Sequence, residues 1–279
     1  MTINNYHTHT LYCDGKDPMP LYVQEAELKV LGQLGFSAHA PLPFENNFAI
    51  TIEQMPAYIK EIDELKAATP VTLLKSLECD FIPGRSTPFA DFKQTYGLDY
   101  IIGGVHLVKP VNSDELWFID GPKRETYDDG LEKLFNHNIQ KAVTSFWEQT
   151  FEMIETQKMD IIAHVDKIKM HNQNRFFQED ERWYKVLTDK ALQLIKSHNL
   201  IMEVNTRGIY KKRCDALYPS VEMLCKARKM DIPVVISSDA HQAKEIDLLF
   251  EVAYAVLRQC GYEYLMQFDP QTGTFKLQR

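Results

Sequence analysis

Seven short runs rich in Ile, Val, Leu or Phe recur along the chain, and each stops at a His, Glu, Asp or Asn. The runs are Thr2–Tyr6, Gly35–Ala38, Val71–Leu77, Tyr100–Val105, Asp160–Ala163, Leu200–Met202 and Pro233–Ile236. The residues that follow them are, in order, His7 and His9, His39, Glu78, His106, His164, Glu203 and Asn205, and Asp239 and His241. Short unbroken apolar runs of this kind predict strands buried on both faces. Helical patterns separate them: Leu21–Leu34, with Pro20 suited to a helix start, then Ile52–Ala67, Asp180–His198, Pro219–Met230 and Ala243–Cys260. The stretch Tyr127–Lys158 is long enough for two helices. The tail Tyr264–Leu277, turned at Asp269–Gly273, predicts a terminal hairpin.

Strands alternating with helices imply a parallel sheet, because each crossover returns over the same face. In such folds the strand C-termini share one end, and chemistry sits there. An open sheet would spread seven strand ends too far apart to act together. The ligand-type residues therefore favour an α/β barrel over an open doubly wound sheet. No repeat, low-complexity segment or linker interrupts the pattern, so residues 1–279 are read as one domain.

Composition adds exclusions. The hydrophobic fraction is 44% and the charged fraction 25%, as in ordinary globular proteins. The net charge of −8 argues against broad binding to nucleic acid or to an anionic membrane. No apolar run is long enough to cross a membrane. A signal peptide is not expected, because the first strand begins almost at Met1 and its end carries candidate ligands. The five cysteines (Cys13, Cys79, Cys214, Cys225 and Cys260) are scattered, and they predict reduced thiols in a cytoplasmic protein. Cys13, between His9 and Asp14, is expected to pack rather than to bind metal.

The candidate chemistry follows from the histidines. Six of nine lie at or just past a strand end, whereas His137, His171 and His198 fall in helices or a loop. His7 and His9 alternate, so on a strand both rings face one side. Any one of the six could be a core histidine, but six at equivalent ends of separate strands are hard to explain as packing. With Asp14, Glu78 and Asp239 they make nine ligands, more than one ion uses. Two or three divalent ions are implied, and imidazole with carboxylate suits Zn, Mn or Fe. Clustered ions activate a bridging water and clamp a phosphoryl group.

His7-Thr8-His9, Asp14, His39, Glu78, Gly104-Val105-His106, His164 and Ser238-Asp239-Ala240-His241 together resemble the PHP (polymerase and histidinol phosphatase) superfamily. Within it the resemblance is greatest to the histidinol-phosphate phosphatases. It is carried by Glu78-Cys79-Asp80-Phe81-Ile82-Pro83-Gly84, by Glu203-Val204-Asn205-Thr206 and by Tyr218-Pro219-Ser220, and Asp14 fits that branch. The resemblance implies a distorted (β/α)7 barrel with a trinuclear site at the strand C-termini. One ion would take His7, His9, Glu78 and Asp239; a second Glu78, His106 and His164; a third Asp14, His39 and His241. Glu78, Asp239 and His241 are the expected catalytic residues.

The implied activity is hydrolysis of L-histidinol phosphate by attack of a metal-bridging hydroxide, a step of histidine biosynthesis. The alternatives are another small phosphorylated substrate, a nuclease, or an interaction module without turnover. The family places phosphate-binding cations in the loops after strands five and six. Here those loops hold Lys167, Lys169 and Arg175, then Arg207, Lys211, Lys212 and Arg213. Arg207 is the first choice, with Lys169 and Arg175 beside it. Glu115, Trp117 and Asp120, in the loop after His106, are the expected contacts for the organic cation of the substrate.

Overall fold

A computed structural model describes residues 2–111 and 113–278. The first half runs β1 (Asn4–Asn5), α1 (Met19–Leu28), β2 (Gln33–His39), α2 (Met55–Lys66), β3 (Thr72–Asp80), α3 (Phe89–Tyr96), β4 (Tyr100–Gly104), then a ribbon of β5 (Leu107–Val108) and β6 (Trp117–Phe118). The second half runs α4 (Arg124–Phe135), α5 (Ile139–Thr156), β7 (Ile161–Ile162), α6 (Arg182–Ser197), β8 (Ile201–Asn205), α7 (Arg207–Tyr210), α8 (Val221–Lys229), β9 (Val234–Ser237), α9 (Phe250–Gln259), β10 (Leu265–Asp269) and β11 (Thr274–Gln278).

Seven parallel strands form one sheet in the order β1-β2-β3-β4-β7-β8-β9. The two ends nearly meet. Thr8 and Ala240 form a parallel bridge, and the His9 amide donates to the Ala240 carbonyl at 2.8 Å. Beside the bridge the Asn5 side chain donates to Ser238 Oγ and to the Ile246 carbonyl, both at 2.8 Å. The sheet is therefore a nearly closed seven-stranded barrel, as the ligand pattern favoured and the family resemblance implied.

Alternation along each strand divides the barrel interior into an apolar floor and a polar mouth. On β3 the inward series is Leu74, Ser76, Glu78; on β9 it is Val235, Ser237, Asp239. On β8 Ile201 is followed by Glu203 and Asn205, and on β4 Tyr100 and Ile102 precede Gly104 and His106. Each strand thus begins in the floor and ends in the mouth. The terminal hairpin closes the floor: Phe268 and Phe275 pack on Tyr100, and the Phe275 ring lies 5.2 Å from that of Tyr6. Gln33 fixes this plug by donating to the Phe268 carbonyl at 2.7 Å, while its Oε1 accepts from Tyr6 Oη at 2.6 Å.

Several expectations need correction. The first helix ends at Leu28 rather than Leu34, because Val30 adopts a left-handed conformation (φ 56°) and Leu34 belongs to β2. The run from Ala243 is broken at Leu249 (φ 61°) into a 3-10 turn and α9. At the start of the turn the Glu245 side chain accepts from the His241 and Gln242 amides at 3.1 and 3.2 Å. The pair in Tyr127–Lys158 is separated by Asn136 and His137, both left-handed, and Asn138 caps α5 by accepting from the Lys141 amide at 3.0 Å. The short helices α3 and α7 and the β5–β6 ribbon were not anticipated. Cys225 on α8 and Cys260 after α9 are disulfide-bonded, whereas Cys13, Cys79 and Cys214 are free. Helix packing brings these two scattered cysteines together, which their spacing does not announce. Thiol titration of the denatured, unreduced protein should therefore count three thiols; five would return the pair to the reduced state.

Gly35 lies where the Tyr100 hydroxyl crosses the floor. A Cβ there would sit 1.8 Å from that oxygen and 3.1 Å from Tyr6 Cα. Gly35→Ala should lower stability by about 1–3 kcal/mol through overpacking, and adding Tyr100→Phe should recover part of the loss. Equal urea midpoints for Gly35→Ala and the parent would refute this packing of the floor.

Candidate metal centre

The nine side chains singled out in the sequence converge at the barrel mouth, and Glu78 is their hub. Its Oε2 lies 3.1 Å from His7 Nε2, 3.4 Å from His9 Nε2 and 3.2 Å from His39 Nδ1. Its Oε1 lies 2.9 Å from His164 Nε2 and 3.3 Å from His106 Nε2. Asp239 Oδ1 is 3.4 Å from both His9 Nε2 and His241 Nδ1. Asp14 Oδ2 lies 3.0 Å from His241 Nε2, and Asp14 Oδ1 stands 3.8 and 3.9 Å from His9 and His39. Strand register explains the hub, since His39 and Glu78 are paired across β2 and β3.

Three groups are close enough to share an ion: His9, Asp14, His39 and His241; His7, His9 and Asp239; and His39, Glu78 and His106. They overlap the three sets implied by resemblance and differ in detail, since His9 joins the Asp14 group and His39 the Glu78 group. The donor set fits metal for a second reason. His7 Nε2, His9 Nε2, His39 Nδ1 and Asp14 Oδ1 are buried and have no hydrogen-bond partner. Orphaned buried donors and acceptors are costly, and a shared cation would satisfy them together.

Outer carboxylates orient the rings. Glu203 accepts from His7 Nδ1 at 2.6 Å and from the His164 amide at 2.8 Å. Asp80 accepts from both His106 Nδ1 and its amide, at 2.8 and 3.0 Å. Carboxylate–imidazole pairs of this kind fix the tautomer and aim the free nitrogen inward. Burial alone would raise the Glu78 pKa, but His7, His106 and His39 outweigh it and hold the carboxyl well below its ordinary range. The same compensation works on His7, where burial opposes the charged ring and Glu78, Glu203 and Asp239 raise its pKa overall. His9 is the opposite case: burial, reinforced by His241 and His39, keeps it neutral and suited to ligation.

A cavity of about 310 Å³ opens over the cluster, and Lys167, Arg207, Lys211, Arg213, Phe118 and Asp120 are among its walls. Lys167 and Arg207 approach the same Asp239 Oδ2, at 3.7 and 3.9 Å. Lys167 also meets Asp120 Oδ2 at 2.9 Å. Burial opposes both ions of this pair, yet each outweighs it for the other: Asp120 is held down to about 2 and Lys167 is moved up. Arg207 Nη1 donates to the Asp239 carbonyl at 2.7 Å.

Four expected substrate contacts are not brought to this cavity. Lys169 is two residues past Lys167 in a 3-10 turn, so it points elsewhere, onto Asp166 at 2.7 Å. Arg175 makes a two-pronged pair with Asp128, both contacts at 2.8 Å. Glu115 is exposed and paired with Lys133 at 2.5 Å. Trp117 is fully buried and donates to the Tyr127 carbonyl at 2.9 Å. Alternation along β6 sends its neighbour Phe118 to the cavity instead. Lys167 was visible in the same loop as Lys169, but only the turn geometry separates them. Cys13 packs beside the site, its Sγ 3.5 Å from His9 Nδ1.

A parallel barrel with a multi-carboxylate, multi-imidazole pocket at its C-terminal mouth defines a metal-dependent hydrolase architecture. Residues 5–207 match the PHP domain model, and the chain belongs to that family. It is 28% identical to a probable histidinol-phosphatase of Deinococcus radiodurans, over 91% of this chain and 92% of that one. It is 24% identical to the histidinol-phosphatase of Bacillus subtilis, over 91% and 98%. Among solved structures, the histidinol phosphate phosphatase of Lactococcus lactis, complexed with zinc, L-histidinol and phosphate, superposes with a TM-score of 0.69. That match has 17% identity over 98% of both chains.

Because Glu203 braces both His7 and His164, Glu203→Gln should weaken metal binding by about 10–100-fold. Glu78→Gln should weaken it further, since it removes the charge at the hub. Chelator competition with the two variants checks both; a Glu203→Gln protein that binds metal like the parent would remove the bracing role.

Proposed function

We propose that the chain is a metal-dependent phosphomonoesterase that hydrolyses L-histidinol phosphate to L-histidinol and phosphate, a step of histidine biosynthesis, in one domain spanning the chain. The carrying observation is the meeting, at one small cavity, of the Glu78-centred ligand cluster with the fixed cations Lys167 and Arg207. Relatives named histidinol-phosphatase that match this chain over 91% of its length support the substrate. The Lactococcus structure, with zinc, L-histidinol and phosphate together, supports both metal and ligand.

Two or three divalent ions, zinc first and manganese or iron as alternatives, would be held by His7, His9, Asp14, His39, Glu78, His106, His164, Asp239 and His241. When bound they supply an activated water and neutralise phosphoryl oxygens. The chain's own residues do the rest. Glu78 and Asp239 stay ionised, and His241 is steered by Asp14 and the Asp239 carbonyl. These three form the catalytic core. Lys167 and Arg207 face the phosphate end, where charge develops as the ester bond breaks.

A cavity of about 310 Å³ suits a small phosphorylated metabolite rather than nucleic acid. Among the described residues no helix is long and apolar enough to cross a membrane. A cytoplasmic setting goes with the biosynthetic role.

A phosphate-release screen over small phosphomonoesters tests the substrate. L-histidinol phosphate should be hydrolysed far faster than p-nitrophenyl phosphate, and no preference would sink the assignment. Elemental analysis should find two or three ions per chain, with activity lost on chelation; one ion or fewer in active protein would end the multi-ion reading. Arg207→Ala should lower kcat/KM by about 1.5–3 kcal/mol, with Arg207→Lys recovering part. Inhibition by inorganic phosphate should weaken in parallel. Unchanged phosphate inhibition with reduced metal content would instead make Arg207 only a brace for Asp239.

A further inference from the structure

The loop that returns from β6 places one more carboxylate in the mouth, and neither strand ends nor family resemblance accounts for it. We propose that Asp120 is a further ligand of the metal centre, completing the shell of the ion shared by Glu78, His106 and His164, with Lys167 as its outer partner. This rests on the metal-centre reading above, and not on the identity of the substrate.

Geometry carries it. Glu78 Oε1, His106 Nε2 and His164 Nε2 lie within 3.3 Å of one another, a three-membered shell. Asp120 Oδ2 stands 3.8 Å from His106 Nε2. Neighbouring ligands on a tetrahedral ion with bonds of about 2.0–2.1 Å are separated by about 3.4 Å, so a small side-chain adjustment closes the gap. The other oxygen, Asp120 Oδ1, is buried and has no hydrogen-bond partner.

The backbone holds this carboxylate in place. The Ile119 amide donates to the His106 carbonyl at 3.0 Å, and the Gly121 carbonyl accepts from His171 Nε2 at 2.8 Å. The residue is thus pinned on both sides, one of the pins being the backbone of a ligand. Its anchor is the buried Trp117, so the ribbon's placement is built into the core. Lys167 Nζ lies 2.9 Å from Asp120 Oδ2 and 3.7 Å from Asp239 Oδ2, spanning carboxylates on two sides of the centre. A cation in that position orients ligands as outer carboxylates orient imidazoles.

The test is metal binding without substrate. Parent, Asp120→Asn and Asp120→Glu proteins are freed of metal and matched for thermal unfolding in that state. Each is then titrated with zinc against a chromophoric chelator, and with cobalt(II) read by its visible absorption. Asp120→Asn should bind one ion at least about tenfold more weakly, with the others unchanged, and its cobalt spectrum should change in intensity. Asp120→Glu should restore much of both signals. Parent-like zinc affinities and cobalt spectrum in Asp120→Asn would overturn the proposal. In that event a raised KM for L-histidinol phosphate would assign Asp120 to the substrate amine, and an unchanged KM would leave it as the partner of Lys167. A parent protein that binds zinc but ignores L-histidinol phosphate would sink the substrate reading alone.

Discussion

Glu78 carries a negative charge at a position only 1% exposed, and most of the molecule can be read as what makes that possible. A carboxylate taken out of water is strongly destabilising unless it is paired. Five imidazole nitrogens from four other strand ends lie within 3.4 Å of its two oxygens. No single strand or helix could supply them. They meet because seven strands tilt around one axis, so that equivalent positions at their C-termini converge. Closure of the barrel is thus an electrostatic requirement as much as a packing one. Its last bridge, Thr8 to Ala240, lies directly between His7, His9, Asp239 and His241.

The same demand for fixed geometry explains the strain at the mouth. Asp239 adopts φ 53° and His164 φ 21°, conformations that non-glycine residues rarely take. Such backbone persists only when the surroundings over-determine it. At Asp239 they do: the carbonyl accepts from Arg207 Nη1, Tyr210 Oη and His241 Nδ1. At His164 the amide is held by Glu203 and the ring by Glu78. The apolar floor contributes rigidity from below, since Tyr6, Tyr100, Phe268 and Phe275 leave the strand ends little freedom to relax.

The architecture and the candidate ligands Glu78, His106 and Asp239 were legible in the sequence through a period of two, whereas the role of Asp14, in a turn, rested on the family resemblance. An apolar residue in the floor and a ligand two or four positions later are marks of one strand face, and Leu74, Ser76 and Glu78 show it plainly. What was not legible depends on torsions that leave no such mark. Val30, just after α1, and Leu249, just before α9, adopt left-handed conformations that a β-branched or long apolar residue does not advertise. Trp117 and Phe118 are adjacent, both aromatic, and one strand alternation decides which reaches the cavity. Lys167 and Lys169 are divided by a single 3-10 turn. Glu203 and Asp80 stood within recognisable motifs, yet their task of holding His7, His164 and His106 appears only from distances.

These outer carboxylates also bear on how the sites depend on one another. Glu203 holds the ring of His7 with one oxygen and the amide of His164 with the other, and Asn205 Nδ2 lies between Glu203 Oε2 and Asp239 Oδ2 at 3.1 and 3.3 Å. Glu78 meanwhile presents a different oxygen to each side of the cluster. With two or three ions bound as proposed, an ion on one side would fix Glu78 and His7, and so remove part of the ordering cost for an ion on the other. Shared ligands and shared braces would therefore couple the proposed sites thermodynamically, and the coupling would act equally in both directions. On the proposed multi-ion reading, the mouth of this barrel is one unit of shared ligands rather than separate pockets that happen to adjoin.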